Sequence, residues 1–324
     1  MKHLLLLLSI SIFCLPFVKA QQAIADSVIT KELLQHHVQV LAHDSMEGRL
    51  TGTAGCEKAA AYIAAQMKAT GLHSFNDSIS FYQFYKMEKG RKMVMAANIV
   101  GVLPGRIPDK YIIFSAHYDH VGNADKDYLW QQLRSSKKDK IYNGANDNAS
   151  GVAAMLALAA YFKALQENDY TILFIAFSGE ENGLAGSQAL VNSFRKLDNI
   201  RQVVNLEMLG RLSATIKKPF VTEGMHSEGF RKKLNDNLRK LNPRMKDFFR
   251  FDGLPEEHYF SRSDNYSFAL QGIPANSIMA TNGFDRHYHS PGDEWQTLDY
   301  DAMTTIVKAI ALACTALVQE ETSK

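Results

Sequence analysis

At 324 residues, 46% of them apolar and 22% charged, the chain has the composition of an ordinary globular protein and the length of one large domain or two small ones. Its formal charge is +2. Two of its lysines, Lys2 and Lys19, lie in an N-terminal segment that reads as removable, and without them the +2 falls to zero. A neutral chain argues against a nucleic-acid partner.

That segment, Met1–Ala20, has the form of a secretory signal peptide: Lys2, a leucine-rich core, then Val18-Lys19-Ala20 as a cleavage site. Leu4–Val18 is too short to span a bilayer comfortably, and no second apolar span follows it. The expectation is a secreted or periplasmic chain, residues 21–324, with no stable membrane insertion. Helices are predicted over Asp26–Ala42 and Ala54–Thr70, and a strand over Ala96–Leu103. A second strand, Tyr111–Ala116, ends in His117-Tyr118-Asp119-His120. Strand-end histidines are common metal ligands, and Asp119 is spaced to orient His117; the plainer alternative is a turn that happens to hold histidines. The polar stretch Asp125–Asn143 reads as a surface insertion near the mouth of a site, and its basic run Arg134–Lys140 as a solvated loop.

Gly144–Gly151 (GANDNASG) leads into a helix of small residues, Ser150–Leu165. Asp147 is a candidate ligand there; Asp147, Asn148 or Ser150 could equally cap the helix, and the two roles are compatible. Tyr170–Phe177 is almost continuously apolar, as a strand buried on both faces must be. It delivers Glu180 and Glu181 just beyond its end, before a predicted helix Leu184–Phe194. Alone, that pair reads equally as acids favouring a helix N-terminus or as a ligand beside a general base. Gln202–Met208 is a further apolar strand that carries Glu207, an acid that needs a partner if it is buried. After a predicted helix Ser227–Leu241 comes the aromatic segment Phe248–Phe260, read as core with a pocket lining as the sharper alternative. A strand Ala275–Ala280 follows, and then His287 and His289, which in extended backbone would face the same side. Tyr300–Val318 closes the chain as a helix. Cys56 and Cys314 lie outside the removable segment and would be either a disulfide or two buried thiols.

Strands alternating with helices, and no internal repeat, predict a single α/β domain with a mostly parallel mixed sheet sandwiched between helices. Ligands in such folds bind beyond the C-terminal ends of the strands, where these motifs fall. Mixed histidine and carboxylate donors suit Zn²⁺, and the surplus of acids suits two ions sharing a bridging aspartate.

Taken in order, His117-x-Asp119, Asp147-x-x-Ser150-Gly151, Glu180-Glu181-x-Gly183-Leu184-x-Gly186-Ser187, the acidic strand end at Glu207 and His289-Ser290-Pro291-x-Asp293 resemble the two-zinc aminopeptidase family. That family includes secreted bacterial aminopeptidases, glutamate carboxypeptidase and the glutaminyl cyclases. Met46–Thr53 and Ser263-Asp264-Asn265-Tyr266-Ser267-Phe268 extend the similarity, which covers roughly residues 30 to 318. The resemblance implies a zinc-exopeptidase-like fold and two zinc ions. It implies that Asp147 bridges the ions, with His117 and Glu207 completing one site and Glu181 and His289 the other. Glu180 would be the general base, and Asp119 would support His117. It also implies a cis bond between Asp147 and Asn148. Two positions depart from the family pattern: Glu207 stands where most members have Asp, and Asn265 where many have His, which bears on substrate-side hydrogen bonding.

The implied activity is metal-dependent removal of the N-terminal residue from a peptide. A glutaminyl cyclase, with a related site but generally one zinc, is the nearest alternative. A non-catalytic module of the same fold is disfavoured, because every expected ligand position holds a competent residue. A serine hydrolase lacks its Gly-x-Ser-x-Gly signature here.

Overall fold

The computed structural model describes residues 19–75, 80–90, 92–126, 138–251 and 259–320. The leader expectation therefore lies outside the described residues except at Lys19 and Ala20, and so do parts of the Asp125–Asn143 insertion and the Phe248–Phe260 segment. The principal strands are β1 (Tyr82–Lys89), β2 (Lys92–Leu103), β3 (Ile107–His117), β4 (Tyr170–Phe177), β5 (Ile200–Glu207) and β6 (Ala275–Met279). Residues 19–28 are helical, and the helices that follow are α1 (Lys31–Leu41), α2 (Ala54–Ala69), α3 (Ser150–Leu165), α4 (Ala185–Ser193), α5 (Phe230–Leu241), α6 (Asn265–Ala269) and α7 (Tyr300–Thr315).

The sheet runs β2-β4-β3-β5-β6, and its central neighbours β4-β3, β3-β5 and β5-β6 are all parallel. Antiparallel partners flank this block: β2 against β4, β1 against β2, and a short strand Phe220–Val221 against β6. Side chains alternate across the sheet, as the pleat requires. Ile112, Phe114 and Ala116 of β3 face a core shared with α1, α2, α3, α5 and α7. Ile113 faces the opposite core, built with Leu190, Val191 and Phe268 from α4 and α6. Phe114 stacks between Phe162 and Phe174 at ring separations of 5.2 and 5.8 Å. Helix α3 is buried at every position from Ser150 to Ala159, which explains a sequence too uniformly apolar to show an amphipathic stripe.

The expected boundaries shift where local chemistry intervenes. The predicted Asp26–Ala42 helix is two pieces, because Thr30 turns extended and its side chain caps α1 by accepting from Leu33 N at 3.2 Å. Helix α5 begins at Phe230 rather than Ser227, after Gly229 at φ +84°. Strand β1 was not anticipated. It forms a hairpin with β2 whose outer face leaves Phe84, Met93 and Met95 exposed, so its mixed polar sequence carries little core signal. Cys56 and Cys314 are separate buried thiols.

Arg49, with no exposure, ties the loops around the strand ends together. Its guanidinium donates to the carbonyls of Leu41, Tyr118, Asn143 and Gly144 at 2.6–2.9 Å. Gly144, at φ +55°, belongs to the same junction; a Cβ there would lie 2.2 Å from the Asp147 carbonyl oxygen and 2.5 Å from the His120 ring.

His37 on α1 is a second buried polar contact, with Nδ1 2.7 Å from Tyr62 Oη on α2. Burial pushes its imidazole down to about 4, below the ordinary 6.5. The unfolded chain therefore binds a proton that the folded chain refuses, and stability falls as pH drops from about 6.5 towards 4. In urea unfolding, the stability difference between wild type and His37→Gln should shift in the variant's favour by about 2–3 kcal/mol between about pH 7.5 and 4.5. A difference independent of pH would show that His37 is not the group responsible.

Candidate metal centre

The parallel order of β4, β3, β5 and β6 places their C-terminal ends side by side, and the chemistry collects there. His117 is the last residue of β3, Glu207 the last of β5, and Glu180 and Glu181 follow β4 by three and four residues. Asp147 lies in the turn that starts α3, and the Asp147–Asn148 peptide bond is cis.

Two groups of donor atoms converge around Asp147. In the first, His117 Nε2 lies 3.3 Å from both Asp147 Oδ1 and Glu207 Oε1. In the second, His289 Nε2 lies 3.2 Å from both Asp147 Oδ2 and Glu181 Oε1, and His120 Nδ1 lies 2.9 Å from Glu181 Oε1. The two oxygens of Asp147 thus face different groups. Glu180 belongs to neither, yet lines the same cavity as His117, Asp147, Glu181 and Glu207.

Supporting contacts fix these side chains. Asp293 Oδ2 accepts from the backbone N–H groups of Asn146 and Asp147, both at 3.0 Å, and Arg211 Nη2 donates to Asp293 Oδ1 at 2.8 Å. The His289 ring stacks on Tyr288 with centroids 4.0 Å apart. Glu207 Oε2 accepts from Ser263 Oγ at 2.8 Å, and Ser263 accepts in turn from Asn205 at 2.8 Å. Asn265 does not face a substrate: its amide donates to the Phe260 carbonyl and its oxygen accepts from Ser277 Oγ, each at 2.8 Å. Asp119 meets His117 through its main-chain carbonyl, 3.2 Å from Nδ1. The Asp119 carboxylate also stands beside His117, with Oδ1 3.7 Å from Nδ1, and it accepts from Thr51 Oγ1 at 3.0 Å and from Glu180 N at 3.2 Å, so it braces both His117 and the chain beneath Glu180.

His120, Asp264, Asp293 and Ser263 received no role from the sequence. His120 was visible only as a second histidine in the run after β3, and which ring turns inward depends on the local backbone. His287 takes no part in either group. Residues 285–292 form turns, with His289 at φ +47°, so the alternation that would place both rings on one side does not arise. His287 meets Arg286 instead, which donates to its Nε2 at 2.9 Å.

The electrostatics ask for a cation. Burial alone would raise the Asp147 carboxyl, but the His120, His117 and His289 imidazoles hold it well below the carboxylate range. Burial would also raise Glu181, and so would Asp147, yet His289 and His120 bring it to about 2. Glu180 is pushed well up, first by burial and then, against the pull of His117, by Glu181 and Glu207. Burial pushes Asp264 up to about 7. Acids crowded this closely, offset mainly by imidazoles and by the buried Arg49 near Asp147, fit divalent cations far better than they fit an empty apolar site. The donor set of His nitrogen and carboxylate oxygen is that of zinc, and His117, Asp147 and Glu207 give a three-donor group of the open, catalytic kind.

Fold and site together define an α/β protein of the zinc-exopeptidase type. The chain belongs to peptidase family M28, whose model matches residues 98–314. A probable zinc metalloprotease of Pyrenophora tritici-repentis is 36% identical over 123 residues, 37% of this chain and 26% of that protein, so the chain spans about a quarter of that relative's length. Leucine aminopeptidase 1 of Trichophyton equinum is 23% identical over 295 residues, 88% of this chain and 73% of the relative. Among solved structures, the LapA aminopeptidase of Legionella pneumophila superposes with a TM-score of 0.70 at 17% identity, covering 93% of this chain and 75% of that one. The glutaminyl cyclase of Porphyromonas gingivalis gives 0.68 at 16% identity, covering 89% and 99%. Both structural likenesses establish the fold.

Ser263→Ala would strip Glu207 of a buried hydrogen bond without touching a donor atom. Zinc affinity measured by chelator competition should fall about 10- to 100-fold, with the circular dichroism spectrum unchanged. Wild-type affinity in the variant would show that the contact does not orient Glu207.

Proposed function

We propose that the protein is a two-zinc aminopeptidase that removes the N-terminal residue of peptides. The observation that carries this reading is the sharing of Asp147 between two donor groups, with the unassigned acid Glu180 in the same cavity. In this reading His117, Asp147 and Glu207 hold one ion, and Asp147, Glu181 and His289 hold the other, with His120 as a further donor on that side. Bound zinc supplies Lewis acidity, lowering the pKa of water from 15.7 to about 7 in favourable sites.

Glu180 accepts the proton of the attacking water and returns it to the leaving amine. The backbone bond from Glu180 N to the Asp119 carboxylate keeps it in place. Tyr288 and Arg262 close the cavity around the scissile bond, and the acids beside the metals are suited to receive a free substrate amine. A cyclase working with one metal would leave the second donor group without a purpose, which favours hydrolysis. The Leu-rich Met1–Ala20 segment supports export as the setting for this activity.

Elemental analysis of gently purified protein should find two transition ions per chain in the wild type and in Glu180→Gln. Turnover of aminoacyl reporters by the variant should fall by at least about 10²–10⁴-fold, the usual worth of a general base. A variant that loses metal but keeps its turnover per bound ion would reverse the roles of Glu180 and its neighbours. Cyclisation of an N-terminal glutamine without hydrolysis, by protein holding one ion, would replace the aminopeptidase reading with the cyclase one.

A further inference from the structure

Two cavities meet at the metal-ligand cluster. One, of about 50 Å³, is walled by His117, Asp147, Glu180, Glu207 and the apolar Met208 and Met279. The other, of about 630 Å³, is open and runs past Glu181, Leu184, Tyr266 and Leu270. Arg262 lines both, and it is the lone lysine or arginine among the described residues lining either one.

Arg262 is exposed and has no ion pair among the described residues. Its guanidinium carbon lies 5.5 Å over the ring of Tyr259. That platform is fixed, because Tyr259 is buried against Phe220 and its hydroxyl accepts from Gly283 N at 3.2 Å. The chain on the other side is fixed as well, since Ser263 bonds Glu207. A guanidinium placed over an aromatic ring, its fork without an acid partner among the described residues, at the junction of two cavities whose other charged side chains are acids and histidines, is suited to receive a planar anion.

We propose that Arg262 is a specificity-determining residue that binds a carboxylate of the substrate, so that the enzyme prefers peptides carrying a negative charge next to the scissile bond. This rests on the aminopeptidase reading of the same site. Two sources share the chemistry: the C-terminal carboxylate of a dipeptide, reached along the open cavity, or an acidic side chain on the N-terminal residue.

The test compares zinc-loaded wild type, Arg262→Ala and Arg262→Lys on two matched pairs: Leu-Gly with Leu-Gly-amide, and Glu-Gly-amide with Gln-Gly-amide. In one pair the acid-to-neutral ratio of kcat/KM should fall about tenfold or more in Arg262→Ala and partly recover in Arg262→Lys, the loss expected for one charge-assisted hydrogen-bonded contact. The pair that responds identifies the source. Because each ratio is taken within one protein, a general loss of fold or metal cancels. Ratios within about twofold of wild type in both pairs would overturn the proposal. Calorimetric titration of the same four peptides reads binding without turnover. A wild type that hydrolyses none of them would sink the peptidase reading, while the acid-to-neutral ratios of Kd in wild type and Arg262→Ala would still decide for or against Arg262.

Discussion

Four carboxylates, those of the buried Asp147 and Glu207 and the half-buried Glu180 and Glu181, crowd around one small cavity, and no fold tolerates that without compensation. The rest of the molecule can be understood as the means of bringing them together and holding them there. A parallel sheet does the first part, because neighbouring strands about 4.8 Å apart all end on the same edge. Three imidazoles do part of the second by lowering Asp147 and Glu181. Burial first, and then repulsion from neighbouring acids, raises the proton affinity of Glu180 and Glu207, and that is the electrostatic reason that the cluster calls for divalent cations.

Holding the acids in place falls to residues outside the two donor groups. Asp293 grips the backbone at Asp147, and Arg211 grips Asp293. A buried polar chain runs from Ser115 through Asn205 to Ser263 and so to Glu207. Such networks are costly when a member is missing and rigid when complete, so orientation at the strand ends is set by residues one step behind them.

This layering explains what the sequence could disclose. The central strands and α3 were legible because long apolar runs have few other uses, and β4 and α3 begin and end where their composition suggests. The donors were legible because they sit in compact motifs at strand ends. Strand β1 was not, since its hairpin with β2 is half exposed and its residues need only alternate weakly. His120 and His287 show the limit most plainly. Each is one of two neighbouring histidines, and the backbone dihedrals that turn His120 inward and His287 away are fixed by contacts far along the chain, from Gly144 packing on the His120 ring to the turns between residues 285 and 292. The tasks of Asp293 and Ser263 depend on which atoms they reach in space, and no local pattern encodes that.

Arg49 has a consequence for how the protein would acquire its ions. Its charge meets only carbonyl dipoles; burial pulls its proton affinity down on balance, while the nearby charges of Asp147, Asp293 and Asp119 pull the other way. It is a permanent counter-ion that no chelator can remove. The junction of the Leu41, Tyr118 and Gly144 segments is therefore closed by the polypeptide itself, in contrast to small zinc modules whose chain is ordered by the metal. The ions would bind against a junction whose closure is made by the chain's own hydrogen bonds.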